Sequence, residues 1–327
     1  MNKLVFFILR LIDDKAFHSG EKLAKQIGCS RSSISNALRD IEQYGLDIQK
    51  ICGRGYRWSN PFVWLDQSAI LNSLNESTQY FNLALLDSVV STNNYLLNSP
   101  SFNLHTSSRI PVIVTELQLN GRGRRGRQWH SGLGDSLTFS LKWRFEQGAS
   151  FLSGLSLVIG VAIVRVLRSF SIQGVGLKWP NDVLYCSRKL AGVLIELQGE
   201  MFGPSVTVIG IGLNIRLSPI IRHTIEYGVS DIFDIIGKDF DRNILLAALL
   251  SELRTVLIDF GQFGFAYFRS EWVYYHAYDG EDILLTLPDG SVKEGIVEGV
   301  NDDGALLLRT SMGVSHFNVG EVTLRAK

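Results

Sequence analysis

Apolar residues recur along this 327-residue chain in two rhythms, helical and strand-like, and the changes between them divide it. Leu4, Ile8 and Leu11 stand at helical spacing, as do Leu23 with Ile27, and Ile34, Ala37, Leu38 and Ile41 at i, i+3, i+4 and i+7. Ser19 and Ser30 are placed as N-caps, Glu21 suits the positive end of a helix dipole, and Gly45 is expected to close the third helix. Gly28-Cys29-Ser30 makes the tight turn of a helix-turn-helix. Leu46 to Ile51 and Tyr56 to Trp58 then flank Gly53-Arg54-Gly55, a hairpin with a basic tip. The first 62 residues therefore read as a winged helix-turn-helix.

Beyond Pro61, Asp66 caps a helix through Leu71 and Leu74, Leu83 to Leu86 is strand-like, and Ser91-Thr92-Asn93-Asn94 opens a helix containing Leu96 and Leu97. Pro111 to Thr115 predicts a strand, and Leu137 to Trp143 alternates at period two. A buried helix is expected from about Leu152 to Phe170, another strand over Val193 to Leu197, and a helix capped by Asp241 with a stripe of Leu246, Leu250, Leu253, Leu257 and Phe260. From Ile283 onward short strands are separated by Pro288-Asp289-Gly290 and Asn301-Asp302-Asp303-Gly304, with Val314 to Val322 last, the pattern of a small barrel. The class is α+β.

Composition adds little to this division. Lys plus Arg equals Asp plus Glu at 32 each, so net charge selects no partner, but residues 1–60 hold ten basic against six acidic residues. A basic appendage on a mildly acidic body fits nucleic-acid binding. On the third helix, Arg31, Ser32, Ser33, Asn36 and Arg39 form an exposed polar face near the N-terminus, suited to base edges and phosphates, with Arg54 on the wing. Cys29, Cys52 and Cys186 share no metal-ligand spacing and read as reduced thiols. The longest uncharged apolar run, Phe151 to Val164, is 14 residues, too short for a bilayer, so a cytoplasmic protein is expected.

The chemistry concentrates in Gly121-Arg122-Gly123-Arg124-Arg125-Gly126-Arg127, with Gln128-Trp129 after it. Its Gly-x-Gly-x-x-Gly spacing would mark a dinucleotide-binding turn given a helix downstream, but a strand pattern follows instead. A solvated charge run and a nucleic-acid patch are further alternatives. Glycines allow close backbone approach and arginines grip phosphate or carboxylate, so the segment is best read as an anion-binding loop that orders around its ligand. Downstream, Lys178-Trp179-Pro180-Asn181-Asp182 forms a turn flanked by a lysine and an aspartate, and Arg188-Lys189-Leu190-Ala191-Gly192 leads into a strand. Lys189 and Arg188 could offset phosphate charge, and Asp182 could hold Mg²⁺ or orient an amine.

Together these motifs resemble the biotin protein ligases. Ser91-Thr92-Asn93, Gln118 before the arginine-glycine run, Lys178 to Asp182, Arg188 to Gly192 and Gly210-Ile211-Gly212-Leu213-Asn214 occur in the family's order. Val90 stands where many members carry an acidic residue, and Leu119-Asn120 replaces the usual residues before Gly121. The resemblance runs over essentially the whole chain and is to the bifunctional branch that also represses the biotin operon. It implies a winged helix-turn-helix over residues 1–62, a mixed-sheet ligase domain over 63–274 and an SH3-like β-domain over 275–327.

The resemblance also implies the reaction. Biotin carboxylate attacks the α-phosphate of ATP, with Mg²⁺, to give biotinyl-5′-AMP, and a lysine of the biotin carboxyl carrier domain of acetyl-CoA carboxylase then takes the acyl group. Arg122, Arg124, Lys189 and Asp182 are the catalytic candidates. Ser91, Thr92, Asn93, Gln118, Gly121, Arg122, Gly123, Arg124, Lys189 and Gly192 are the biotin candidates, with Gly192 giving the pocket room. Arg124, Arg125, Arg127, Trp129, Lys178, Asn181, Lys189 and Asn214 are expected around the adenylate. Asp182 is the one metal candidate. The adenylate-bound form is expected to dimerise and bind operator DNA. The competing readings are a lipoate-protein ligase and a biotin sensor without ligase activity, the second disfavoured by Lys189 and Asp182.

Overall fold

A computed structural model describes residues 3–39, 41–59, 61–102, 108–199, 203–225, 227–318 and 323–326. Three short helices, α1 (Lys3–Leu11), α2 (Gly20–Ile27) and α3 (Arg31–Ala37), precede a wing made of β1 (Ile48–Ile51) and β2 (Gly55–Trp58). Ser19 Oγ accepts from Lys22 N and Ser30 Oγ from Ser33 N, both at 3.1 Å, so both predicted caps form. The third helix is shorter than its periodicity predicts. It stops at Ala37, and Ile41 reaches the core from a separate 3₁₀ turn, Ile41–Tyr44, so Gly45 (φ 85°) ends that turn instead.

The body follows. Asp66 caps α4 (Gln67–Leu74); then come β3 (Phe81–Val89), α5 (Thr92–Asn98), β4 (Ile110–Gln118), a two-rung hairpin of β5 (Gly121–Arg122) and β6 (Gln128–Trp129), and β7 (Ser136–Phe145). Next are α6 (Leu155–Ser169), β8 (Val175–Lys178), β9 (Asp182–Tyr185), β10 (Arg188–Gly199), β11 (Ser205–Asn214), α7 (Pro219–Thr224), α8 (Ile232–Ile236), α9 (Arg242–Phe263) and α10 (Arg269–Tyr274). Seven strands form one mixed sheet in the order β3-β4-β7-β11-β10-β9-β8, in which β3 and β4 alone are parallel. α6 and the stripe of α9 bury their apolar faces against it, with Leu246, Leu250, Leu253, Leu257 and Phe260 all in the core. At about 25 cal/mol per Å² of apolar surface, each such leucine contributes roughly 2 kcal/mol.

The chain closes with a five-stranded antiparallel sheet, β15-β14-β13-β12-β16, built from β12 (Asp282–Thr286), β13 (Val292–Val300), β14 (Leu306–Thr310), β15 (Gly313–Phe317) and β16 (Thr323–Ala326). Part of the predicted last strand, residues 319–322, lies outside the described residues. This sheet buttresses the body: the buried Trp179 donates its indole N–H to Gly304 O at 2.9 Å, and Ser153 Oγ donates to Asp303 O at 2.6 Å. No described helix is long and apolar enough to cross a membrane.

The winged helix is fused to the body. Leu117, at the end of β4, and Leu133, just after β6, are buried in the winged-helix core, and Leu133 N donates to Tyr44 O at 2.8 Å. Beside that joint, Asp135 accepts from Ser218 N at 3.0 Å. Burial pushes its carboxyl up to about 6, against the lowering effect of the Ser218 and Gly132 hydrogen bonds. Because the folded state holds this proton more tightly than the unfolded chain, its stabilising contribution is present below about pH 4 and is lost as pH rises to about 6. Asp135→Asn keeps an acceptor but removes the ionisation. Its stability relative to the parent should therefore rise by about 1–3 kcal/mol between pH 4 and pH 7 in urea titrations, and a constant offset would refute the assignment.

Candidate active site

The arginine-glycine segment is a hairpin, not the irregular loop expected. Gly121 pairs with Trp129 and Arg122 with Gln128, Gly123 N donates to Arg127 O at 2.7 Å, and left-handed Arg125 (φ 56°) and Gly126 (φ 74°) turn the tip. A helix does not follow it, so the dinucleotide-turn reading falls. Gly121 is required by this pairing, since a Cβ there would sit 2.5 Å from Trp129 O.

The hairpin lays Trp129 across the sheet. Gly192 on β10 and Gly212 on β11 are direct cross-strand partners. A Cβ on Gly212 would lie 2.5 Å from the indole, and one on Gly192 3.3 Å from it and 3.0 Å from Lys189 Cε. The two glycines thus form a flat floor beneath an aromatic lid, and Gly192 clears space for Lys189 and Trp129. Lys189 Nζ stands 5.7 Å from the Trp129 ring and 5.7 Å from that of Tyr227, and forms an ion pair with Asp182 Oδ1 at 2.7 Å. Arg124 Nη1 donates to Asn181 Oδ1 at 3.1 Å, and Asn181 Nδ2 in turn donates to Val193 O at 2.8 Å. Desolvation lowers the Arg124 pKa while Asp182 opposes that shift. Arg124, Asn181, Asp182, Lys189 and Trp129 are therefore gathered by the turn after β8, the start of β10 and the hairpin.

A second group surrounds the N-terminus of α5. Ser91 is the N-cap, and Gln118 Oε1 accepts from Thr92 N at 2.9 Å and from Thr92 Oγ1 at 3.2 Å. This contact ties the strand leading into the hairpin to the helix. Asn93 is occupied by scaffold contacts: its Nδ2 donates to Glu196 Oε2 at 2.9 Å, and its Oδ1 accepts from Ser140 Oγ at 2.6 Å. Gly210 makes room for it.

Other candidates separate from these groups. Arg122 points to Glu196 Oε1 (2.8 Å) and the Asn94 side chain, away from the Lys189–Asp182 pair it was expected to join. Arg125 and Arg127 are exposed on the hairpin. Lys178 is half-buried on β8, in register with Asp182. Asn214 is buried, donating to Lys189 O (3.3 Å) and Ser230 O (3.0 Å), so it fixes the Lys189 backbone rather than presenting its amide. Gly123 is half-buried at the tip's entrance. Among the described residues no group of three or more His, Cys, Asp or Glu side chains could hold a metal, and Asp182 is engaged with Lys189. On α3, Arg31, Ser32 and Asn36 are exposed and Ser33 half-buried; Arg39, expected on the same helix, is exposed but lies beyond its end at Ala37, and Arg54 on the wing lies 4.9 Å over the Phe17 ring.

Sequence reasoning missed Glu196, Ser140 and Lys142. The last two had a signal: in Ser136 to Lys142, every second residue is polar on a strand central to the sheet, a face that must find buried partners.

Three family models match consecutive parts of the chain: a helix-turn-helix domain over residues 5–57, the biotin/lipoate A/B protein ligase family over 85–214, and the biotin protein ligase C-terminal domain over 280–325. The bifunctional ligase/repressor BirA of Salmonella typhimurium is 35% identical over 319 residues, covering 98% of this chain and 97% of that protein. The chain belongs to the biotin protein ligase family. The Escherichia coli BirA is 34% identical, over 99% of this chain and 98% of its own length. The biotin protein ligase of Aquifex aeolicus, solved in complex with biotin and ATP, superposes with a TM-score of 0.65 at 29% identity, covering 75% of this chain and 99% of that one.

Proposed function

We propose that this chain is an ATP-dependent biotin protein ligase and a biotin-responsive transcriptional repressor. The observation that carries the reading is the convergence of Arg124, Lys189 and Trp129 over the Gly192–Gly212 floor, in a chain that matches bifunctional relatives along almost its whole length. The carboxylate oxygen of biotin forms a bond to the α-phosphorus as the bond to the β-phosphate oxygen breaks, and pyrophosphate leaves. Both reactants are anions, so Arg124 and Lys189 screen their repulsion in a partly dry site. Arg122 can add to that charge by leaving Glu196. Thr92, Gln118 and the N-terminus of α5 hold the biotin ring. The adenylate lies against Trp129, whose buried indole N–H has no acceptor among the described residues and would gain one. Asp182 is the carboxylate that would hold Mg²⁺, which would supply further screening of the phosphate charge.

In the second step a neutral lysine amine of the biotin carboxyl carrier domain attacks the acyl carbon and AMP leaves. Asp182, freed from Lys189 as that ammonium turns to the nucleotide, orients the amine. Residues 1–62 are the operator-binding unit, with Arg31, Ser32, Asn36, Arg39 and Arg54 facing DNA; 63–274 the ligase unit; and 275–327 the β-unit that buttresses it. The ligand-bound protein forms a homodimer through β10. Its C-terminal half is paired with β11, while β9 covers only Arg188 to Gly192, and Leu197 on it is 50% exposed. The protein works in the cytoplasm.

Incubation with MgATP, labelled biotin or lipoate, and apo carrier domain tests the reading. Label from biotin should reach the carrier. Transfer of lipoate alone, or no transfer, would reject it. Biotinyl-adenylate should also tighten operator binding in gel shifts.

A further inference from the structure

We propose that Lys142 is a positioning residue for biotin, acting through helix α5. The proposal rests on the reading that Thr92 and its neighbours hold the biotin ring. Lys142 is 8% exposed on β7, and no salt bridge reaches it among the described residues. Its ammonium donates instead to two carbonyls, Leu96 O at 3.1 Å and Phe102 O at 3.4 Å. Leu96 O is one of the last four carbonyls of α5 and has no partner within the helix, so Lys142 supplies a C-terminal cap from the sheet. Two residues earlier on the same face of β7, Ser140 Oγ reaches Thr92 Oγ1 and Asn93 Oδ1, both at 2.6 Å.

The spacings match. Two residues of strand advance about 6.8 Å, and four residues of helix about 6 Å, so one strand grips α5 near both ends. A short helix of seven residues is not stable by itself, and its seat on the sheet sets where its N-terminus points. The cost of desolvating an ammonium, which lowers the Lys142 pKa, is offset here by the helix dipole and two carbonyls. A leucine would have filled the same space without that cost. The lysine adds direction: it draws α5 toward its own C-terminal end, and so fixes how far Thr92 projects toward the ligand.

The test is steady-state ligase kinetics on the full chain with Lys142→Met, which retains the length of the side chain and loses its donors. The biotin KM should rise by about tenfold, the worth of a charged hydrogen bond, with kcat at saturating biotin and the KM for ATP unchanged. Amide exchange in α5 of the ligand-free protein should quicken while the urea midpoint holds. Lys142→Gln, which keeps a donor for one carbonyl, should fall between the two and serves if the methionine variant does not accumulate. A loss confined to the urea midpoint, or a fall in kcat with every KM raised together, overturns the proposal. Thr92→Val run alongside separates the failures. If Thr92→Val raises the biotin KM and the Lys142 variants do not, the positioning role is wrong; if none does, the placement of biotin itself is wrong and this proposal goes with it.

Discussion

Lys189→Ala is expected to reduce biotinyl-adenylate formation by about 10²–10³-fold, the range observed when one preorganised electrostatic group is removed from a transition state. The geometry makes this larger than a simple charge deletion. Lys189 stands 2.7 Å from Asp182, both largely sheltered, so truncating the lysine leaves an uncompensated carboxylate at the site proposed for the two anionic reactants. Lys189→Ala/Asp182→Asn should therefore recover part of the adenylation rate, a coupling that a double-mutant cycle measures directly. Biotin-dependent pyrophosphate release reads the first step, and transfer from synthetic biotinyl-adenylate to the carrier reads the second. The fold should survive, because Asn214 and Gly228 hold the Lys189 backbone independently of its side chain. Undiminished pyrophosphate release would remove Lys189 from the mechanism.

The parts of this site that are local in sequence were legible there. Ser19, Ser30, Ser91, Asp66 and Asp241 all cap the helices their spacing predicts, because a cap is a contact across two or three residues. The Lys178-to-Asp182 turn and the Lys189 strand could be placed for the same reason. What failed was non-local. Nothing within its own segment tells Arg122 that it will meet Glu196, 74 residues away. Likewise, the arginine-glycine run looks irregular until Trp129 finds the Gly192–Gly212 floor, which is assembled by β10 and β11 long after the hairpin in sequence. Local periodicity also misled at the third helix, where Ile41 keeps its buried place after the helix itself has ended. Capping and turn chemistry thus fixed the elements, and the sheet decided which of their side chains could meet.

The end of β4 is buried in the winged-helix core, and Arg242→Met should uncouple operator binding from the ligand. Arg242 and Glu116 form an ion pair at 2.6 Å with side chains only 2% and 0% exposed. Arg242 also donates to Val63 O at 2.8 Å and lies 4.9 Å over Phe62, while Glu116 accepts from Leu65 N at 2.6 Å. The pair therefore clasps residues 62 to 65, the segment joining winged helix to ligase. Glu116 itself precedes Leu117, which is buried in the winged-helix core, and Gln118, which contacts Thr92. Deleting one partner strands a buried charge, so Arg242→Met should cost about 3–5 kcal/mol in urea unfolding, whereas Glu116→Gln/Arg242→Met should cost less than the single change. Function should divide as well. At a temperature where the variant remains folded, adenylate formation should persist, since no residue of the Arg124–Lys189 group touches the clasp. The tightening of operator binding by biotinyl-adenylate should fall, because the segment that orients the winged helix is no longer held against β4. A variant that keeps full stability, or keeps the whole adenylate effect in gel shifts, would show that the clasp carries neither load.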